Sequence, residues 1–493
     1  MTETEIKQML AQGERLTLEC KKAKTELPKS VWESYSAFAN TIGGYILLGI
    51  DENRKETDIA KRFTIIGVDN IPKIISDLWN TINSNKVNRN ILLDSDVEVT
   101  TIDGKSIVCI HVPQADWRMK PVFLNENPYK GSFKRNHEGD YHCTEMEVRA
   151  MIRDANEDGN DGGLLDGFTL DDIDTNTLHG YRNQFRILNA DHEWNDKDDK
   201  EFLRLLGGYT KNRQTGKEGL TVAGLMMFGT GLAIRERFGN FRMDYLDMSH
   251  LEGEERYRDR LTYDGRWENN LYQFFRIVMP KLTFDLPHPF HMEGYQRVDD
   301  TPQMKAVREG FTNSIIHSDL FLDSGILRIE KHDDCLCLRN PGNLKLPIAN
   351  IYEGGVSKAR NPRIQNMLRM IGYGENIGSG FPKIISAWQK AGWGKPELID
   401  KYELQEVELR LPIPNETSGQ TSGQTGGQTG SPKTIEKVFE LIKDNPYITR
   451  QELVDKIGIK ASAIQKHIEK LKAQKRIERV GSSTFGGHWE IKE

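Results

Sequence analysis

The apolar positions of this chain recur with two different periods. Near the start, Leu16, Leu18 and Cys20 alternate with Thr17, Glu19 and Lys21, which predicts a strand with one polar face. Val31, Tyr35 and Phe38 then return at helical spacing and predict a helix from Ser30 to Asn40. Thr41-Ile-Gly-Gly breaks it. The near-continuous run YILLGI predicts a buried strand. That strand ends at Asp51, Glu52 and Asn53, a place where functional groups are commonly displayed. Further on, MKAVREGFTNSIIHSD puts Val307, Phe311 and Ile315 on one helical face, with Glu309 and Asn313 one turn apart on another. GILRIEKHDDCLCLRNPGNL then reads as two alternating strands around His332-Asp-Asp, with Cys335 and Cys337 on one face.

The last stretch has a denser pattern. Ile435, Val438, Phe439 and Ile442 mark an amphipathic helix that Pro446 ends. Thr449 stands as an N-cap, with Glu452 completing a capping box, and Gly458 closes that short helix. A second helix follows, with Ser462 as its candidate cap and Ile464, Ile468 and Leu471 as its buried stripe. Two helices across so short a turn have helix-turn-helix spacing, and IERVGSSTFGGHWEIK reads as two strands around a Gly/Ser tip. Ser462, Gln465, Lys466 and Lys472 lie on the exposed side, where polar residues meet base edges and lysines meet phosphates. The module resembles the winged helices of bacterial transcription regulators. That resemblance implies DNA as partner and is compatible with a homodimer reading two half-sites; the same fold also serves as a protein–protein module.

Composition divides the chain. Asn415 to Pro432 repeats Gly-Gln-Thr, holds no large apolar residue and predicts a flexible tether. Asn156 to Gly163, NEDGNDGG, predicts a softer joint. The region after the tether holds 13 Lys and Arg against 9 Asp and Glu, in a chain whose net charge is −6. A basic module on an acidic body points to a polyanion partner at that end. The apolar runs are too short to span a membrane, and the charged start has no apolar leader, so a cytoplasmic location is expected. Five cysteines without a CxxC pair fit reduced thiols, with no structural zinc.

Motifs in the first 150 or so residues carry a family resemblance. Glu14, Glu19 and Lys21 in E-x-x-x-x-E-x-K, then AFANTIGGYILLGIDEN, then PVFLNENPYKGSFKRN, occur in the order found in Schlafen AlbA-type domains. The resemblance implies either a metal-dependent ribonuclease or a nucleic-acid-binding domain. The catalytic carboxylates would be Glu14, Glu19 and Asp51 or Glu52, with Glu14 and Glu19 as metal ligands, since hard oxygen donors suit Mg²⁺ or Mn²⁺. Phosphate contacts would come from Lys21, Lys22, Lys24, Lys134 and Arg135.

The later segment is similar to the GHKL (histidine-kinase-type) ATPase fold in a degenerate form. Glu309 and Asn313 match the pair that activates water and holds Mg²⁺ in that fold. Asn340-Pro-Gly342 stands where an adenine-reading Asp-x-Gly is expected, so an amide replaces the carboxylate. GENIGSGF, with Gly378 and Gly380, has the look of a phosphate cradle at a helix start. ATP with Mg²⁺ or Mn²⁺ is the implied cofactor.

The expected architecture is multidomain α+β. It comprises a Schlafen AlbA-type α+β domain (1–155), an α/β connecting region (164–300), a GHKL-like ATPase region (301–414), a linker (415–432) and a winged helix-turn-helix (433–493). Two functions remain open. One is a non-enzymatic transcriptional regulator that binds DNA and responds to a nucleotide. The other is an enzyme, either a metal-dependent nuclease, with RNA as substrate, or a nucleic-acid-linked ATPase.

Overall fold

The computed structural model describes the chain except residues 15, 54, 252, 285, 287–291, 294–295, 298–300, 375–379, 415–437, 440, 444, 447, 458–460, 475, 481–487 and 493. It divides into two compact units, Met1–Ser418 and Gly419–Glu493. Among the described residues, no helix is long and apolar enough to cross a membrane. The expected tether lies outside the described residues.

The first unit begins with a four-stranded sheet in the order β1 (Leu18–Lys21), β2 (Gly44–Leu48), β6 (Lys105–Val112), β5 (Val97–Ile102). β1 and β2 are parallel, and the other pairs antiparallel. Beside it, β3 (Ile50–Glu52) pairs with β4 (Phe63–Ile65), and β7 (Phe133–Asn136) with β8 (Gly139–His142). The helix Val31–Asn40 matches the expected one, and nine of its ten residues are buried. Its last residue shows how buried polarity is satisfied. The Asn40 amide donates to the carbonyls of Val122 and Phe133 at 2.8 and 3.0 Å and accepts from Val122 N–H at 2.8 Å. A buried side chain thus supplies hydrogen bonds to two segments that lack them.

The expected polar face is covered in part: Thr17, ahead of β1, is exposed, but Glu19 is not. Glu19 is buried, because β7 brings the guanidinium of Arg135 over it. Alternation reports the period of a strand and says nothing of what covers each face.

The rest of the first unit is one body. A small hairpin of β9 (Tyr209–Lys211) and β10 (Glu218–Leu220) precedes the main sheet. That sheet has the order β12 (Asp259–Leu261), β11 (Arg242–Asp247), β15 (Ile326–Lys331), β16 (Cys335–Pro341), β18 (Glu406–Pro412), β17 (Glu397–Lys401). A short hairpin, β13 (Met292–Glu293) with β14 (Gln296–Arg297), lies between β12 and β15 in sequence. The helices Leu271–Thr283, Pro302–Ile316 and Gly380–Ala391 join the sheet in a single apolar core that runs from Leu165 to Leu411. The boundary expected at 300/301 therefore falls inside one sheet and one core. The apolar run Val222–Phe228 is a wholly buried helix of that core.

The joint expected at Asn156–Gly163 is also a packed part of this body. Asp161 is fully buried, and its carboxylate accepts from Ile364 N–H at 2.8 Å, at the start of the helix Pro362–Met370. Acidic side chains there satisfy exposed N–H groups and meet the positive end of the helix dipole. Gly159 (φ +81°) lies so close to Pro362 that an added Cβ would stand 2.2 Å from its Cδ. The low-complexity look of NEDGNDGG reflects close backbone approach.

Just before that helix, Arg360 fastens the first domain to the body. Its Nε and Nη2 both reach Asp154, at the end of the helix Glu145–Asp154, at 2.7 Å. The same guanidinium donates to the carbonyls of Asn343, at 2.9 Å, and His317. Arg153 pairs with Asp319 beside it, and Tyr402 Oη donates to the Asn40 carbonyl at 3.3 Å. Burial would raise the pKa of Asp154, but the Arg360 charge overrides it and holds the carboxyl below its ordinary value.

The second unit contains the helices Arg450–Ile457 and Ala461–Ala473 and the antiparallel pair β19 (Ile477–Val480) and β20 (His488–Ile491). Its core gathers Val438, Ile442, Leu453, Ile464, Ile468, Leu471 and Trp489. The Thr449–Glu452 capping box is present, with Thr449 N–H to Glu452 at 2.7 Å and Glu452 N–H to Thr449 Oγ1 at 3.2 Å. The second helix begins at Ala461, so Ser462 lies within its first turn and does not precede it. Ile435, Gly458 and the Gly/Ser tip lie outside the described residues.

Removing one partner of a buried, bidentate pair leaves the other charge uncompensated. Asp154→Ala should therefore destabilise the protein by about 3 kcal/mol or more, seen as a lower urea midpoint. An unchanged midpoint would show that Arg360 has another adequate partner.

Candidate functional sites

The first domain gathers its acidic residues around one arginine. Glu19 accepts from Lys21 Nζ at 2.6 Å and from Arg135 Nη1 at 2.7 Å. Arg135 also reaches Asp140 at 2.9 Å and the Leu18 carbonyl at 2.8 Å, with its guanidinium over the ring of Phe38. Glu14 is buried alongside and accepts from Cys20 N–H at 2.6 Å. Burial pushes its carboxyl up to about 7, and the neighbouring charges of Glu19 and Glu52 add to the rise. Of the two candidates at the end of the second expected strand, Glu52 is thus the one near this pair. Asp51 pairs with Lys22 at 2.9 Å. Glu52 itself meets Arg62.

Three expected carboxylates therefore lie close together, with cations among them. Among the described residues, no group of three or more His, Cys, Asp and Glu is arranged to hold a metal ion. The expected phosphate contacts change more. Arg135 is buried and committed to Glu19 and Asp140, so it is no surface ligand. Lys134 is tied to Glu147 at 2.6 Å, and Lys21 to Glu19. Lys22 and Lys24 are the members of the set that face solvent.

The second site is a cleft in the body, lined by both polar and apolar side chains. Glu309 and Asn313 line it from the helix Pro302–Ile316, and Asn313 Nδ2 donates to Glu309 Oε1 at 3.2 Å. Gly380 opens the helix opposite. A Cβ there would stand 2.2 Å from Glu309 Oε1 and 3.2 Å from Asn313 Nδ2, so a larger residue would push these two side-chain ends aside. Asn340, at the end of β16, is buried and lines the same cleft. Phe381 packs edge-on against Tyr352, while Leu398, Val407 and Leu409 give apolar surface.

Gly342 has a different place. It adopts φ +97°, and a Cβ there would meet Arg360 Nη1 at 2.8 Å. It lines a second cavity, at the joint with the first domain, and serves the Arg360 clasp. Gly378 lies outside the described residues.

Sequence reasoning missed the polar wall of the cleft: His317, Lys345, Lys358 and Arg360. Burial drives His317 down to about 4, and the charges of Arg360 and Lys345 add to the fall, so it is neutral near pH 7. Lys345 is lowered to about 8, chiefly by burial. The basic run SKARNPR, which holds Lys358 and Arg360 but not His317 or Lys345, was at most a partial signal.

In the second unit, Lys466 is exposed, and Gln465 donates to Glu469 at 2.8 Å. Lys472 lies over the ring of Trp489 at 5.3 Å, so part of its surface serves packing. The Ser462 side chain lies outside the described residues.

A mixed α+β body with a cleft, together with a winged helix, defines a multidomain protein of nucleic-acid-binding type. Comparison with known families gives the same segments. The "Schlafen, AlbA_2" model matches residues 14–144, and the "Winged helix-turn-helix DNA-binding" model matches 432–478. The "Putative ATP-dependent DNA helicase recG C-terminal" model matches 326–409, a span that begins after Glu309 and Asn313. A domain of unknown function matches 149–244. The chain thus carries a Schlafen AlbA_2 domain, an ATPase-like segment and a C-terminal winged helix-turn-helix. Among solved structures, a protein from Corynebacterium diphtheriae aligns at 14% identity and TM-score 0.40, over 99% of this chain and 98% of its own. The N-terminal domain of a "Putative ATP-dependent DNA Helicase RecG-related Protein" from Nitrosomonas europaea aligns at 25% identity and TM-score 0.23, over 29% of this chain and 94% of its own. No curated protein matches the sequence.

Glu14 generates a pH dependence. The unfolded chain releases this proton near 4.5, the native protein near 7. Native protein therefore holds more protons in between, and stability falls as pH rises through that window, by on the order of 3 kcal/mol. Glu14→Gln keeps an acceptor for Cys20 N–H and removes the titration. Urea midpoints at pH 5 and pH 8 should differ less in this variant than in wild type; an equal difference would remove Glu14 from the account.

Proposed function

We propose that this protein is a DNA-binding regulator whose body responds to an adenine nucleotide. The winged helix supplies the duplex contact, and the first domain adds a nucleic-acid contact near Lys22 and Lys24. The observation that carries the nucleotide half is the cleft itself, with Glu309 and Asn313 at one side and Asn340 buried at another.

The residues fit such a ligand chemically. An amide offers both an acceptor and a donor, which suits the amino group and ring nitrogen of adenine, so Asn340 replaces the expected carboxylate without loss of pairing. Glu309 and Asn313 offer hard oxygen donors of the kind Mg²⁺ or Mn²⁺ takes alongside phosphate oxygens. Such a cation would neutralise phosphate charge in the cleft. Gly380 supports the reading, since the ends of the Glu309 and Asn313 side chains lie close to it at the start of a helix.

A nuclease remains the second reading, favoured by the closeness of Glu14, Glu19 and Glu52. Arg135 within the same cluster weakens it, since a cation there competes for the carboxylates that a metal ion would need. Loss of a Mn²⁺-dependent RNA cleavage in Glu14→Ala and Glu19→Ala would support it.

Two measurements test the main reading. Saturating ATP with Mg²⁺ should raise the melting temperature by several degrees, and Asn313→Ala should blunt the rise, because a ligand of the native state stabilises it. No shift in wild type would end the nucleotide reading. Deleting residues 433–493 should lower duplex-DNA affinity at least tenfold and flatten its dependence on salt. Unchanged affinity would sink the role given to the winged helix.

A further inference from the structure

The cleft holds two lysines in an unusual arrangement. Lys345 Nζ lies 4.1 Å and Lys358 Nζ 4.9 Å from the centre of one indole ring, that of Trp117. Trp117 belongs to the first domain and is almost fully buried, while both lysines line the cleft of the body. Among the described residues, neither lysine forms an ion pair or a hydrogen bond. An indole face attracts one ammonium group; a second beside it adds like-charge repulsion. Arg360 is close by but is already matched by Asp154. Asp154 and Asp116 act on Lys345 from a distance, but neither ammonium group is directly paired with a carboxylate among the described residues.

We propose that Lys345 and Lys358 form the phosphate-binding end of the cleft, and that a nucleotide polyphosphate competes with Trp117 for them. The idea rests on the nucleotide reading above and names the residues that distinguish a phosphorylated ligand from a nucleoside. Oxygen anions bind ammonium groups through charge-assisted hydrogen bonds, which are stronger than a cation–π contact of the same group. Two lysines on one wall match the two or three charged groups of a diphosphate or triphosphate. Burial lowers the Lys345 ammonium to about 8, and the charges of Arg360 and Lys358 add to the fall.

The competition has a consequence for the joint. Trp117 also lines the second cavity, between the first domain and the body, together with Lys120, Asp154 and Arg360. Lysines drawn towards phosphate leave the ring, and the first domain loses two of its contacts with the body. Phosphate recognition and the fit of the first domain are then coupled, in both directions.

Calorimetric titration of the full chain with ATP, adenosine and tripolyphosphate tests this. Wild type should bind all three. The double variant Lys345→Met/Lys358→Met should bind ATP roughly tenfold more weakly or worse, lose tripolyphosphate and keep its adenosine affinity. Adenosine is the internal check on folding; if the double variant fails it, Lys358→Met alone should still weaken ATP and tripolyphosphate. Trp117→Leu removes the competitor and should tighten ATP a few-fold without altering adenosine. ATP and adenosine binding in wild type with unchanged ATP affinity in the lysine variants would overturn this inference alone. Wild type that binds neither ATP nor adenosine would overturn the nucleotide reading and this inference with it.

Discussion

A guanidinium buried between two domains must find its counter-charge and its hydrogen-bond acceptors within the protein, and Arg360 finds all of them at once. Both oxygens of Asp154 take a parallel pair of N–H donors, and the carbonyls of His317 and Asn343 take others. A planar fork can make such a set where an ammonium could not. The pair is costly to desolvate, and the cost is met only if the geometry holds. Four segments are thereby fixed in relation to one another: the end of the helix Glu145–Asp154, the end of the helix Pro302–Ile316, the turn after β16, and the start of the helix Pro362–Met370. Gly342 is glycine because that turn passes against the same guanidinium. Asp161 secures the other side of the helix start.

The clasp explains why the cleft and the first domain share residues. Arg360, Asn343 and Lys345 line both the cleft of the body and the cavity at the joint. A ligand that moves Lys345 acts on a wall common to the two. The first domain repeats the same device on a smaller scale, where Arg135 gathers Glu19, Asp140 and the Leu18 carbonyl beneath Phe38. Its acidic cluster is therefore partly neutralised from within, and its carboxylates hold β1 to β7 whatever else they do.

Local signals carried far in this sequence, and long-range pairing is where they ran out. The helix at Val31–Asn40, the capping box at Thr449 and Glu452, and the placing of Glu309 and Asn313 on one helix all follow from spacing over a few residues. Asn340 was expected near the nucleotide and lies in the cleft. Arg135 was expected at a surface because basic residues are usually solvated; its partner Glu19 lies far away in sequence, on a strand whose alternation looked half-exposed. NEDGNDGG looked like a joint because glycine and acidic residues also mark linkers, whereas here they permit close packing and cap a helix. The boundary at 300/301 failed for the same reason, since β11 finds its parallel partner β15 only after a long stretch of intervening chain. Lys345 carries no motif, and the basic run around Lys358 says nothing of a shared ring. Their meaning comes from Trp117, which only folding brings to them.

Hydrogen exchange of the full chain, with and without ATP and Mg²⁺, tests most directly whether the cleft and the first domain act through one clasp. Protection should change in the segments around Asn343–Lys345 and Lys358–Arg360, and also around Trp117–Lys120 and Asp154 in the first domain. A change confined to the body, with the first-domain segments exchanging as before, would contradict the account.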